Sequence, residues 1–405
     1  MATFWAIEGG VTAPLGWQAG AVAAGIKPSG KLDLILICSD QPAVTAGVFT
    51  TNLVRAASVD YDEQRLAQES HGRAIVINAG NANAATGQAG VEAVTQTAQI
   101  FAELLNLDPA EILVASTGVI GVPLPMAKIQ QAAPQLVTTL SPTGSELAAQ
   151  AILTTDLTVK TRALEANIDG HPVRMGAIAK GSGMIHPNMA TLLAFITCDA
   201  AVEPDLWRDL LRAANTVSFN QITVDGDTST NDLVLALSNG RAENPTVTDP
   251  ASLAARLLGE MLTTLCIDLA KMVARDGEGA TKLVEVQVTG ARDAQSARQV
   301  ARTVASSSLF KAALFGCDPN WGRIAAAAGR AGVPFAPQRL AVWLGEVQLM
   351  AEGTPLPFDR PAAVTYLKNP TVLVRLDLGG GQGQGTAWGC DLTYDYVRIN
   401  GEYTT

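Results

Sequence analysis

Apolar positions return along this chain with two different periods. In "GQAGVEAVTQTAQIFAELL" (87–105) they recur every three or four residues, which predicts a helix. "EPDLWRDLLRAAN" (203–215), the stretch from Pro250 to Ala274 and "ARDAQSARQVARTVASS" (291–307) carry the same period. "KLDLILIC" (31–38), "RAIVIN" (73–78), "DLVLAL" (232–237), "LAVWLG" (340–345) and "TVLVRLDL" (371–378) are short aliphatic and β-branched runs, and "LVEVQV" (283–288) alternates. These predict strands. "DPAEILVAST" (108–117) starts on Asp-Pro and becomes an apolar strand. "SPTGSELAAQAIL" (141–153) predicts a helix with Ser141 as N-cap and Pro142 in its first turn. Strands and helices mix throughout, with strands dominating the end, so α/β or α+β layers are expected.

Three loops interrupt this pattern. "NAGNANAATG" (78–87) follows a strand and precedes a helix, and "VDGDTSTND" (224–232) lies between two strand-like runs. "GGGQGQG" (379–385) invites a phosphate-loop reading, but no GK[ST] follows it. The next stretch, "TAWGCDLTYDYV", reads as strand, so no helix N-terminus is there to receive an anion. A flexible hairpin is the better expectation.

Composition narrows the function classes. The 405 residues suffice for two or three domains, and the 48% hydrophobic, 16% charged balance is that of a globular chain. A net charge of −10 without a long basic run disfavours nucleic acid and anionic membrane as partners. The five cysteines (38, 198, 266, 317 and 390) form no CxxC, and the three histidines have no metal-ligand spacing. No metal site or disulfide framework is expected, and a reducing cytoplasm fits. "MATFWAIEGG" has no signal-peptide pattern, and Arg256, Glu260, Asp268 and Lys271 interrupt the one long apolar helix.

The most unusual stretch is "GMIHPNMATLLAF" (183–195), where a Gly-rich approach and a polar turn lead to Ala190, Thr191 and an apolar run. A Thr hydroxyl is a weak nucleophile without a base nearby. If Thr191 became the first residue of a chain, its own α-amine, with a pKa of about 8, could take the hydroxyl proton. The cut could be self-made: Thr191 Oγ attacks the Ala190 carbonyl, an ester forms and water resolves it. Read alone, the stretch is far more often an ordinary turn before a packed Thr than a reaction centre. Acyl transfer also needs donors for an oxyanion. In "ASTGVIG" (115–121), Thr117 offers a hydroxyl and Gly118 a closely approachable N–H, though a plain strand-to-loop turn has the same residues.

Together these stretches resemble the glutamate N-acetyltransferase/ornithine acetyltransferase family of arginine biosynthesis, the ArgJ family. The resemblance begins with "GGVTAPLGWQAGAVAAGIK" (9–27) and runs through "AGVFTTN" (46–52), "NAGNANAATG", "STGVIG", "ILTTD" (152–156), "KGSGMIHPNMATLLAFITCDA" (180–200) and "VDGDTSTND". It continues in "DGEGATK" (276–282), "GCDPNWGRI" (316–324) and "YDYVRINGEYTT" (394–405). One departure is Cys198, where the family more often has Thr; it is expected in the core.

The resemblance implies a layered αββα sandwich of the self-processing aminopeptidase/ornithine acetyltransferase type, with a smaller C-terminal α/β domain at about 283–405. It implies cleavage between Ala190 and Thr191, giving an α chain (1–190) and a β chain (191–405) in an α2β2 heterotetramer. Thr191 is implied as nucleophile, and Thr117 and Gly118 as the oxyanion hole. Thr154, Lys180, Thr191, Glu278, Asn400 and Thr405 are implied to bind substrate, with Thr155 the alternative to Thr154. The implied reaction moves acetyl from N2-acetyl-L-ornithine to L-glutamate in L-arginine biosynthesis. No cofactor is expected, and acetyl-CoA stays open as a second donor. Two rivals stand beside it. An N-terminal-nucleophile aminopeptidase or amidase would use water in place of glutamate. A non-catalytic metabolite-binding protein would use "GGGQGQG" and "NAGNANAATG" and stay a single chain.

Overall fold

The structure is a computed structural model and describes residues 3–186 and 192–402. Its strands are, in chain order, β1 (Phe4–Ile7), β2 (Trp17–Val22), β3 (Leu34–Phe49), β4 (His71–Asn81), β5 (Ile112–Val119), β6 (Lys160–Ile168), β7 (His171–Lys180), β8 (Leu193–Cys198), β9 (Ile222–Thr223) and β10 (Leu233–Ser238). They continue with β11 (Leu283–Ala291), β12 (Ala341–Leu344), β13 (Val347–Ala351), β14 (Thr354–Pro355), β15 (Thr371–Asp377) and β16 (Gly383–Cys390). The helices are α1 (Ala57–Gln68), α2 (Gly87–Leu105), α3 (Met126–Thr138), α4 (Ser145–Ala151), α5 (Pro204–Val217), α6 (Leu253–Arg275), α7 (Ala294–Ala305), α8 (Ser308–Phe315), α9 (Trp321–Gly329), α10 (Arg360–Leu367) and α11 (Tyr394–Glu402).

A nine-stranded sheet runs β1-β6-β7-β8-β10-β3-β4-β5, with β2 also paired to β3. The 16-residue β3 serves both halves: Leu34–Cys38 pair with β2 and β4, and Val44–Phe49 pair with β10. Period-two alternation then sorts side chains into apolar layers. Leu34, Leu36, Val76 and Val114 pack on Phe101 of α2 and Ile129 of α3. Their alternates Ile35, Ile37, Ile77 and Leu113 face Phe195, Leu233 and Leu235. Ala194, Ile196, Val234 and Ala236 meet α5 and α6. The order helix, strand, strand, helix is the four-layer sandwich that the resemblance implied.

The helices show why the period was readable. On α2, Gly90, Ala93, Val94, Thr97, Ala98, Phe101 and Ala102 form one buried stripe. Glu203 caps α5 by accepting the Leu206 N–H at 2.8 Å, and Pro204 sits at the first helical position, where no N–H is needed. On α6, Leu258, Met261, Leu262, Leu265 and Leu269 are fully buried while Arg256 and Glu260 stay exposed. Among the described residues no helix is long and apolar enough to cross a membrane.

A second, seven-stranded sheet runs β14-β13-β12-β15-β11-β16-β9 and has its own core from Val284, Val286, Val300, Val304, Ile324, Val342, Val372 and Val374. The short β9 pairs in parallel with β16 and so ties this sheet to the first part of the chain. Cys198 is fully buried, and burial pushes its thiol up to about 12, as befits a core residue.

Three expectations need correction. Ser141 is no helix N-cap, because its backbone pairs in both directions with Ala19 at 3.0 Å; α4 starts four residues later, at Ser145. "GGGQGQG" is no hairpin, because β11 lies between β15 and β16. Its glycines serve packing instead: a Cβ on Gly385 would lie 2.4 Å from the Arg298 backbone N, so only glycine lets α7 press on β16. Finally, the end of the chain is not all strand. Thr393 Oγ1 accepts the Tyr396 N–H at 3.3 Å and starts α11, so "YDYVRINGE" is helical.

Candidate active site

The site begins where β4 and β5 end. Thr117 and Gly118 are in β5, with Gly118 opposite Gly80 of β4 in an irregular stretch of pairing. Gly118 has φ +136°, and a Cβ there would lie 2.2 Å from the Gly80 carbonyl carbon. Only glycine fits, and the result turns this backbone out of the regular ladder. The turn is braced by asparagines. Asn231 Nδ2 donates to Ser116 O at 2.8 Å and Ala82 O at 2.6 Å, and Asn81 Nδ2 donates to Val122 O at 3.1 Å. The Asn-rich stretch 78–87 is thus scaffold for the Thr117–Gly118 turn.

Lys180, the last residue of β7, reaches the same place. Its Nζ donates to Thr154 Oγ1 at 2.8 Å and lies 3.4 Å from Thr117 Oγ1. Of the two neighbouring threonines, Thr154 is the one that takes this bond. Burial pulls the Lys180 ammonium below the ordinary lysine value, and the Asp156 charge opposes that. Asp156 Oδ1 accepts from Lys160 Nζ at 2.8 Å and from the Gly181 N–H at 2.6 Å. Burial would raise this carboxyl, but the Lys180 and Lys160 charges and these hydrogen bonds hold it well below the usual carboxylate range. Lys160 donates also to Asp276 Oδ2 at 2.6 Å, and Asp276 accepts the Leu157 N–H at 3.0 Å. The charges of this buried cluster satisfy one another and fix the loop that carries Thr154.

Residues 181–186, which lead to the proposed cut, are held on several sides. Asp225 accepts the Met184 and Ile185 N–H groups at 2.6 and 2.8 Å. Ser182 Oγ donates to Asp276 O at 2.7 Å, and Thr228 Oγ1 donates to His186 O at 2.9 Å. On the far side, Leu192 O accepts the Leu233 N–H at 3.0 Å, and β8 follows at once between β7 and β10. Ala190, Thr191 and Thr405 lie outside the described residues. Leu192, the next described residue, immediately precedes β8.

Thr117, Lys180, Leu192 and Asp232 line a cavity of about 30 Å³. Asp232 went unnoticed among the sequence candidates. Burial pushes its carboxyl well above the ordinary range, with Ser229 hydrogen bonds and the Lys180 charge opposing. Its Oδ2 has no hydrogen-bond partner among the described residues. Glu278 and Asn400 meet nearby across a gap of more than a hundred residues, with Asn400 Nδ2 donating to Glu278 Oε2 at 2.8 Å. Glu278 reaches the "KGSG" loop: its N–H donates to Ser182 O at 3.0 Å, and its carboxylate lies where a Cβ on Gly183 would sit. Thr117 and Thr154 therefore meet at Lys180, and Glu278 and Asn400 meet beside Gly183, which lines the same cavity as Thr117 and Lys180.

Relatives extend this picture. The model of the ArgJ family matches residues 18–405. The arginine biosynthesis bifunctional protein ArgJ of Gloeobacter violaceus is 61% identical, with both chains fully covered. Its counterpart from Synechocystis is 57% identical, again over the whole of both chains. A solved chain of the Bacillus halodurans ArgJ protein is 44% identical, covers 52% of this chain and 98% of its own length, and superposes with a TM-score of 0.51. A family match across almost the whole chain, full-length relatives and the shared fold together place this chain in the ArgJ family.

Proposed function

We propose that this chain moves an acetyl group from N-acetylornithine to glutamate, using Thr191 as an N-terminal nucleophile that it frees by its own cleavage. The observation that carries the proposal is the convergence of the Thr117–Gly118 turn and Lys180 on Leu192, the residue bonded to Thr191.

The cleavage step forms an ester. Thr191 Oγ attacks the Ala190 carbonyl carbon, the peptide C–N bond breaks, and the amide nitrogen leaves as the Thr191 amine. Water then splits the ester, leaving a carboxylate on Ala190 and a free hydroxyl on Thr191. The pinned flanks at 181–186 and Leu192 support this reading, because attack on one's own carbonyl needs a held geometry. The Bacillus chain, matching 52% of this one, also has the proportion of a piece starting at residue 191.

In the transfer, the Thr191 amine takes the hydroxyl proton as Oγ attacks the acetyl carbonyl. Thr117 Oγ and the Gly118 N–H donate to the resulting oxyanion. Ornithine leaves with the proton, and the glutamate amine attacks the acetyl-Thr191 ester in a second cycle of the same kind. Lys180 offers a point charge to a substrate carboxylate, Glu278 accepts from a substrate ammonium, and Asn400 holds Glu278. Thr154 orients Lys180, and Thr405 completes the amino-acid site. The α2β2 assembly of the two cleaved pieces, a cytoplasmic location and acetyl-CoA as a second donor belong to the same proposal.

An assay with N-acetylornithine, run with and without glutamate, tests it. Acetylglutamate should appear only with glutamate, and ornithine release should fall sharply without it. Ornithine release at one rate in both would make the chain a hydrolase. Acetyl-CoA replacing N-acetylornithine reports the second donor.

A further inference from the structure

A cavity of about 650 Å³ lies between the end of α5 and the outer face of α7, and shares no lining residue with the Thr117–Lys180 cavity. Gln295, Arg298, Arg302 and Ser306 recur on its wall at helical spacing, so one face of α7 points into it. Arg330, just past α9, adds a third guanidinium, and among the described residues no Asp or Glu lines the cavity. Three cations without a carboxylate stand out in a chain of net charge −10.

The central cation is the least satisfied. Arg302 Nε is buried with no hydrogen-bond partner among the described residues, and its Nη1 has only a 3.4 Å contact to Asn220 O. Burial pushes it down to about 10, with no opposing carboxylate among the described residues. A half-buried, unpaired guanidinium is costly to keep and favours an anion as partner. Gly385 presses β16 against the α7 backbone at Arg298, so the cations stand on a rigid element.

We propose that this cavity binds a phosphate-bearing anion of nucleotide size, with Arg298, Arg302 and Arg330 as its phosphate contacts. Guanidinium forks match phosphate oxygens in pairs, and the volume exceeds that needed by a lone inorganic ion. His186, on the flank of the segment 187–191, also lines this cavity, and anion binding there can be measured whether or not the acetyl-transfer reading holds.

Calorimetric titration of the full protein with ADP and with pyrophosphate tests it. ADP should bind, and Arg298→Gln/Arg302→Gln should weaken it about tenfold or more. Arg330→Glu, at an exposed position, should weaken it similarly without touching the core. N-Acetylornithine–glutamate exchange should stay unchanged in these variants. Pyrophosphate binding as tightly as ADP would identify a free phosphate anion as the ligand, and tighter ADP a nucleotide. Heat from neither probe, or equal affinity in wild type and all variants, overturns the site.

Discussion

Lys180 Nζ stands 3.9 Å from Asp156 Oδ2, near enough to feel the charge and too far for a tight contact. Asp156 gives its closer bond to Lys160 instead, at 2.8 Å. Lys180 therefore has a counter-charge that opposes the effect of burial, while its donors remain turned to Thr154 and Thr117. A lysine arranged this way suits a substrate carboxylate.

Asp156→Asn should remove the counter-charge that Lys180 and Lys160 share and leave Asp276, paired with Lys160 at 2.6 Å, as the one carboxylate hydrogen-bonded to either lysine among the described residues. Breaking a buried pair of this kind costs about 3–5 kcal/mol, so chemical denaturation should show a loss of that size, with exchange activity falling too. Lys180→Met, by contrast, should keep most of the stability and lose activity mainly through a raised KM for amino-acid substrates. An Asp156→Asn protein as stable as wild type would refute the shared-carboxylate account.

Gly118→Ala puts a methyl group against the Gly80–Asn81 backbone at a φ that side chains avoid. Strain and overpacking together should cost about 2–5 kcal/mol. Where the protein still folds, displacement of one oxyanion donor should lower kcat by about a hundredfold or more. Gly121→Ala is the control, since nothing lies within 4 Å of a Cβ there, although its φ is also positive.

His186 is pulled down to about 4 from 6.5, first by burial and then by the Arg302 charge. A base with a lowered folded pKa binds its proton more readily when unfolded. Stability from this group should thus be fully present above about pH 6.5 and fall as the pH drops from 6.5 towards 4. An NMR titration should place the His186 midpoint near 4, and Arg302→Gln should raise it. A midpoint near 6.5 would contradict the burial.

Much of this was legible before any coordinates. The stripe on α2 and the alternation in β11 are local facts that tertiary packing only reinforced. Thr117, Gly118, Thr154, Lys180, Glu278 and Asn400 came from motif resemblance, and the fold gathers them. The Lys160–Asp276 pair is 116 positions apart and carries no local signal, so no spacing rule finds it. Asp232 sits inside a quoted motif, but its buried carboxyl, with Oδ2 unpartnered among the described residues, meets the Lys180 charge only in the folded chain. The "YDYV" stretch misled because aromatic and β-branched residues favour strands; the cap signal of Thr393 and the Asp395 in the first turn was there to be weighed. "GGGQGQG" looked like a loop because glycine usually is one, whereas here it admits a helix backbone.

The central claim is that Thr191 becomes a chain terminus and carries the acetyl group. Mass spectrometry of the purified protein after incubation with N-acetylornithine alone tests it most directly. The account predicts two polypeptides, 1–190 and 191–405, the second heavier by one acetyl group on Thr191 and returning to its own mass when glutamate is added. An intact 405-residue chain that still exchanges acetyl between ornithine and glutamate would contradict it.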